Sequence, residues 1–340
     1  MAKKYILPLC AASVVALLLI FAVALGYERE ETAELGAGGL TVSEKSACER
    51  YTVLVSGKDV ASGLCDVIML VSIDPSNNKI NVLQIPRDTY AEYADKSYNK
   101  LNGAMSALGS ADAFRKYLMS VIGVNIDATL TLDTSAFRAV VDALGGVEVE
   151  LDEPLYYSDP TQKLYIDLPA GRQTLDGKGA EMLVRYRSGY GRGDIDRLDV
   201  QKSFLASLFE SFKERINKDN AYGVASELIE RVQTDIPLTL GVALVIEALS
   251  AESEDVCFFT LPGEAIVSKR SGASYYVMSA PSTQRLLCEY FGKESTLIDT
   301  EHSLVRSDYE DFVAIYESEY DLLPIRADEL DRGKIGQKEK

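Results

Sequence analysis

One histidine, His302, serves the whole 340-residue chain, and there is no tryptophan. Catalysis by an imidazole base and the commoner zinc sites both rest on histidine, so neither is expected here. Five cysteines occur without a CxxC pair, which leaves no redox or metal–thiolate motif. Positive charge is also scarce: 35 lysines and arginines face 52 aspartates and glutamates, for a formal net charge of −17. General affinity for nucleic acid needs a basic footprint, so no nucleic-acid partner is expected. A polyanionic ligand would have to be met by a local basic site within an acidic body. Apolar material is plentiful at 47%, against 26% charged, the balance of a globular protein with a sizeable core.

Lys3 and Lys4 precede an almost unbroken apolar run from Tyr5 to Tyr27, interrupted mainly by Pro8, Ser13 and Gly26. About twenty apolar residues span a bilayer's hydrocarbon core. Basic residues before the run and Glu28, Glu30 and Glu31 after it orient the N-terminus to the cytoplasm. Ala22-Val23-Ala24 resembles a signal-peptide cleavage site, but the run is longer than a usual signal core, so a retained single-pass anchor is expected. The resulting plan is a cytoplasmic stub (1–4), a transmembrane helix (5–27), a flexible linker (28–50), an extracytoplasmic domain (51–295) and an acidic C-terminal extension (296–340).

Within the domain, β-rich runs at Tyr51–Ser56, Val67–Ile73 and Lys79–Ile85 read as strands, the last two joined by the turn Asp74-Pro75-Ser76-Asn77-Asn78. Further strands are expected near Thr129–Leu132, Val147–Leu151, Leu164–Leu168, Val256–Leu261 and Tyr275–Met278. Helices are expected over Ser110–Val121, Thr134–Leu144, Asp176–Val184, Asp194–Ile216, Ala221–Thr234, Leu238–Ala251 and Ser282–Phe291, with one short helix around Phe312–Tyr316. Strands interleaved with helices predict an α/β fold, an α-β-α sandwich around one central mixed sheet.

Arg185-Tyr186-Arg187, followed by Gly189, Gly191 and Gly193 and then Asp194, Arg197 and Gln201, concentrates cations in this acidic chain. Arg185 and Arg187 share a face if extended, whereas Asp194, Arg197 and Gln201 form one stripe of a helix. Guanidinium forks suit phosphate oxygens, although a solvated, salt-bridged surface would show the same local pattern. Three other constellations stand out. Gln84-Ile85-Pro86-Arg87-Asp88-Thr89 closes a strand, where α/β sheets tend to bind ligands. Asp59 and Asp66 flank a glycine-containing loop and are either Mg²⁺ ligands or turn-formers. Lys100 and Asn102 precede a helix and could touch a phosphate or a sugar, or simply form a polar turn.

Taken in order, these pieces resemble the LytR-CpsA-Psr family, membrane-anchored glycopolymer transferases of mainly Gram-positive bacteria. The resemblance runs through Gly57-Lys58-Asp59, Asp66-Val67-Ile68-Met69-Leu70, Ile85-Pro86-Arg87-Asp88-Thr89 and Lys100-Leu101-Asn102-Gly103-Ala104. It continues through Leu144-Gly145-Gly146-Val147, Leu175-Asp176-Gly177, Ala180, Arg185-Tyr186-Arg187, Gly193-Asp194, Arg197 and Gln201. Each motif alone is unspecific; the ordered set is what carries the resemblance.

The resemblance implies an enzyme that moves a glycopolymer, of teichoic acid or capsular polysaccharide type, from an undecaprenyl pyrophosphate-type carrier to a peptidoglycan sugar hydroxyl through a phosphodiester link. It implies Mg²⁺ on Asp59 and Asp66, and phosphates surrounded by Arg87, Arg185, Arg187 and Arg197. Asp194 and Gln201 would complete the site, Lys100 and Asn102 would assist binding, and a hydrophobic cavity would hold the polyprenyl tail. Arg87, Asp88, Arg185 and Asp194 are the catalytic candidates. Phosphoryl transfer asks mainly for positioning and charge stabilisation, which arginines and Mg²⁺ supply without histidine or thiol. Asp88 and Asp194 both remain open as acceptor of the attacking hydroxyl's proton.

The chain departs from the family pattern at Ala61, where the family often carries an arginine, and at Leu64-Cys65, where it usually carries Arg-Ser. Lys58, Arg50 and Arg192 are the candidates to compensate. Because of these departures, two other functions stay open: a non-catalytic binder or regulator of lipid-linked polymer, and a lipid pyrophosphatase. Outside the membrane, Cys48–Cys65 and Cys257–Cys288 disulfides stand as alternatives to free thiols.

Overall fold

The computed structural model describes residues 50–60, 62–94, 96–160, 164–186, 194–215, 232–236, 251–269, 271–294 and 298, with short stretches at 312–314, 325–326 and 334–335. β1 (Tyr51–Lys58), β2 (Cys65–Asp74) and β3 (Lys79–Gln84) form an antiparallel meander. β2 is buried at every position, as a central strand covered on both faces must be. Asp74 caps the turn into β3 by accepting from the Asn77 N–H, and Asn78 takes the left-handed conformation with φ 49°.

The chain continues through the hairpin β4 (Tyr90–Tyr93) and β5 (Lys96–Lys100), then α1 (Ala104–Leu108), α2 (Ala111–Ile122) and β6 (Ala128–Leu132). Next come α3 (Thr134–Ala143), β7 (Val147–Leu151), the hairpin β8 (Leu155–Asp159) and β9 (Leu164–Leu168), and β10 (Gly171–Leu175). α4 (Gly177–Arg185), α5 (Asp194–Arg215), the short β11 (Gln233–Thr234), β12 (Val256–Thr260), β13 (Gly263–Ser268), β14 (Ser274–Met278) and α6 (Ala280–Tyr290) complete the domain. Ser110, Asp133 and Asp176 cap α2, α3 and α4 with side-chain oxygens, so helix starts follow directly from short polar residues.

The main sheet has seven strands in the order β11-β6-β1-β2-β3-β12-β16, where β16 is Ile325–Arg326. β6 pairs parallel to β1, and β12 parallel to β3, while β2 runs against both its neighbours. The carboxyl ends of β1, β3, β6 and β12 therefore share one edge with the amino end of β2. Side chains alternate between two cores. Val53, Val55, Met69, Val71 and Val82 pack against α3, α4 and α5, whereas Leu54, Ile68, Leu70 and Leu83 pack against α1, α2 and α6. The architecture is the expected α-β-α sandwich on a mixed sheet.

Some expectations change. Gln233–Thr234, placed by sequence at the end of a helix, is an edge strand on β6. Phe312–Ala314, expected as helix, is instead strand β15, paired with β13. β16 pairs with β12, and β17 (Lys334–Ile335) with β7, so the acidic extension contributes strands to three sheets. Unpaired strand edges accept such segments readily. Among the described residues, no helix is long and apolar enough to cross a membrane; the span expected at residues 5–27 lies outside them.

Candidate phosphate site

Asp59 and Asp66 lie at the shared carboxyl edge, on either side of the β1–β2 turn. The ladder pairs Gly57 with Val67 but Lys58 with Cys65, so Asp66 is the extra residue of a β-bulge. Bulges re-aim a side chain where a regular strand would not. The turn is closed by Asp59 N–H donating to the Leu64 carbonyl at 2.9 Å and Gly63 N–H donating to the Asp59 carbonyl at 2.8 Å. Asp59 is itself buried, and its carboxylate accepts from the Ser62 N–H at 3.4 Å.

Arg87 reaches this turn from the end of β3. Its Nη1 donates to Asp66 Oδ1 at 2.7 Å, with side chains 10% and 0% exposed. The Pro86–Thr89 segment is pinned from several directions. Thr89 donates to the Pro86 carbonyl through both its N–H and its hydroxyl, Asn102 N–H to the Arg87 carbonyl, and Tyr276 N–H to the Asp88 carbonyl. Lys100 Nζ lies 3.0 Å from Asp88 Oδ1 and 5.7 Å from the centre of the Tyr275 ring. Asp88, Lys100 and buried Asn102 thus come together around Arg87.

Arg185 closes α4. Asp142 on α3 accepts from the Gly177 N–H at 2.7 Å, and Arg138, a turn earlier on α3, pairs with Glu181. The two helices are therefore antiparallel, and Arg185 is carried to the level of Thr134, immediately after the carboxyl end of β6. α5 ends at the opposite edge, where Arg215 Nη1 donates to the carbonyls of Leu144, Gly145 and Gly146 at 2.7–3.1 Å. At about 1.5 Å per residue, the 14 residues back from Arg215 bring Gln201 to the carboxyl edge as well. Arg185 Nη1 donates to Glu181 Oε1 at 2.6 Å. Its Nε and Nη2 are buried with no hydrogen-bond partner among the described residues, and so is Gln201 Nε2. Nε–H and one Nη2–H are parallel, the edge by which a guanidinium grips two oxygens at once. Buried donors of this kind call for acceptors. Arg187 lies outside the described residues, as do the side chains of Asp194 and Arg197, whose backbone opens α5.

Sequence reasoning passed over Glu181 and Arg138. The i, i+4 spacing of Glu181 to Arg185 was the one available signal. Of the residues proposed to replace the missing arginines, Lys58 lies at the right edge. Arg50 does not: it binds Asp74 and the Tyr290 carbonyl at the opposite end of the sheet. Arg192 falls outside the described residues. Cys65 and Cys288 are free thiols, so neither disulfide forms. Burial pushes the Cys65 thiol up to about 12, with Lys58 opposing and Asp66 reinforcing the shift, which keeps it protonated and without nucleophilic use. Among the described residues, no three acidic, histidine or cysteine side chains form a metal cage. Two carboxylates nevertheless suit Mg²⁺, which commonly takes one or two from the protein and the rest from phosphate and water.

The LytR_cpsA_psr family pattern matches residues 23–290. TagV of Bacillus subtilis, a polyisoprenyl-teichoic acid–peptidoglycan teichoic acid transferase, is 27% identical over 231 residues, 66% of this chain and 58% of its own length. The crystal structure of that TagV superposes with a TM-score of 0.62 at 25% identity, covering 72% of this chain and 98% of its own. Protein gbs0355 of Streptococcus agalactiae superposes with a TM-score of 0.66 at 19% identity, covering 77% and 94%. With more than half its length matched, the chain belongs to the LytR_cpsA_psr family.

Proposed function

We propose that this protein transfers a glycopolymer from a polyprenyl pyrophosphate carrier to a peptidoglycan sugar hydroxyl. The observation that carries the reading is the pair of buried donors Nε and Nη2 on Arg185, with Gln201 Nε2, at the sheet edge that also holds Arg87. Unsatisfied buried donors of this kind match the oxygens of a pyrophosphate, which only accept. The transferase named among the relatives agrees with that ligand class.

In this reading the sugar hydroxyl attacks the phosphorus that bears the polymer. A new P–O bond forms, the bridging P–O bond breaks, and the polyprenyl phosphate leaves with its electron pair. Arg185 and Arg87 hold the non-bridging oxygens, where a fixed cation favours charge that moves during transfer. The hydroxyl proton passes to a carboxylate at the edge, Asp88 or Asp194; Asp88 is the described one that is partly open to solvent. Asp59 and Asp66 would hold Mg²⁺, which when bound supplies further neutralisation of pyrophosphate charge. Residues 5–27 anchor the chain in the cell membrane, with residues 1–4 cytoplasmic and the domain outside.

The test incubates the full-length chain with Mg²⁺, a lipid-pyrophosphate oligosaccharide and peptidoglycan fragments. Labelled sugar on peptidoglycan is the expected outcome. Phosphate release without linkage would assign a pyrophosphatase instead, and retained lipid with neither product a binder.

A further inference from the structure

We infer that Glu181 is a positioning residue for Arg185, turning its free fork toward the donor phosphates, and that Arg138 locks Glu181 in place. This inference rests on the reading of the site as a pyrophosphate site. Glu181 and Arg185 are one turn apart on α4, with side chains 6% and 7% exposed. A buried carboxylate is costly unless both oxygens are used, and here both are. Oε1 takes Arg185 Nη1 at 2.6 Å, while Oε2 takes the Nε and Nη2 of Arg138. Because Arg138 comes from α3, the carboxylate is fixed against a second helix and cannot rotate with Arg185.

The manner of the contact matters more than its existence. If Glu181 served only to stabilise the fold, the strongest pairing would join it to the Nε/Nη2 edge of Arg185 in two parallel bonds. It binds Nη1 instead, and both atoms of the stronger edge stay without a partner among the described residues. The ion pair therefore occupies the one guanidinium nitrogen that a bidentate phosphate does not need. With Arg138 included, the cluster has two cations to one anion, so it still attracts an anionic ligand.

The experiment exploits a difference in sign. Farnesyl pyrophosphate is titrated by calorimetry, with Mg²⁺, into the full-length wild type and into Glu181→Gln, Arg138→Ala and Arg185→Ala. If Glu181 merely offsets charge, its neutralisation removes a repulsive carboxylate and tightens binding. If it positions the fork, Glu181→Gln weakens binding about tenfold at unchanged stoichiometry, the scale of one charge-assisted hydrogen bond. Arg138→Ala alters a side chain 46% exposed, so it tests the same idea without a buried change; about threefold weaker binding is expected. Unchanged or tighter affinity in both variants overturns the inference, as does a fall in stoichiometry and Tm at wild-type affinity. If Glu181→Gln does not fold, the Arg138→Ala affinity decides alone. A wild type that does not bind the probe defeats the pyrophosphate reading itself. Binding that is lost in Arg185→Ala and intact in the other two defeats only the role of Glu181.

Discussion

Arg87, half-buried, and Arg185, buried, are both cations beside a carboxylate, yet they respond differently to truncation. Arg87 holds Asp66, whose side chain is fully buried, so its loss would also destabilise the fold. Glu181 keeps Arg138 when Arg185 is removed. Arg185→Ala is therefore the cleaner probe: transfer should fall by about 10²–10³, the scale of a lost oxyanion donor, with Tm within a few degrees of wild type. Full turnover in that variant would sink the site assignment. Cys65 offers a second test at this scale. Its folded pKa of about 12 lies above the ordinary 9.0, so between those values the unfolded chain has lost a proton that the native state retains. Stability should be insensitive to this thiol below pH 9 and fall by about 1.4 kcal/mol per pH unit above it. Urea titrations of Cys65→Ala across pH 8–11 should show a shallower alkaline decline; an identical slope would remove the thiol as its cause. Arg87 and Asp66 were legible as candidates because each lies in a short motif. Their partnership was not, since it depends on a bulge. Glu181 sits in an apolar stretch of α4, and Arg138 is 43 positions earlier, so nothing local announced that they meet.

Among the elements, α3 and α4 set the geometry of the site through one glycine. A Cβ on Gly177 would lie 2.3 Å from the Arg138 carbonyl oxygen, backbone that cannot yield as a side chain can. That contact seats α4 against α3 and so places Glu181 beside Arg138. Gly177→Ala should cost about 1–3 kcal/mol, as overpacking does, and should weaken pyrophosphate binding even though the residue touches no ligand. Chemical denaturation and the same calorimetric titration measure the two effects; normal affinity in a destabilised protein would show that Arg185 does not depend on this seating. Elements of this kind were readable where sequence signals were strong. Phe137, Val140 and Val141 mark the buried face of α3, and Asp133 and Asp176 mark helix starts. β8 and β10 escaped notice because they are short and largely exposed, so no apolar alternation distinguishes them from loops. The hairpin of β4 and β5 escaped for a related reason: its tyrosines and lysines mix polar and apolar character without a clear period.

For the molecule as a whole, the sequence separates an apolar domain from an acidic extension after residue 295, and the structure partly reverses that separation. Three pieces of the extension return to pair with β13, β12 and β7, each closing a strand edge of a different sheet. Two- and three-residue pairings carry no periodicity, so composition alone could not reveal them, and the acidic character that suggests a loose tail belongs to the residues between. Edges left open invite pairing with other chains, and charge on the covering segment discourages it. With a formal net charge of −17 the whole chain repels copies of itself, so edge closure and repulsion act in the same direction. Deleting residues 296–340 tests both. The few backbone hydrogen bonds lost are worth about 1 kcal/mol each at most, and for a domain of this size each kcal/mol shifts Tm by about 2–4 °C. The shortened chain should therefore melt several degrees lower and form soluble oligomers by light scattering, more so at high salt, where the remaining charge is screened. Because Arg185 and Arg87 are held by contacts within residues 50–294, the affinity of that chain for a prenyl pyrophosphate should stay within about twofold of wild type. A large loss of affinity would mean that the extension belongs to the binding site and not only to the scaffold.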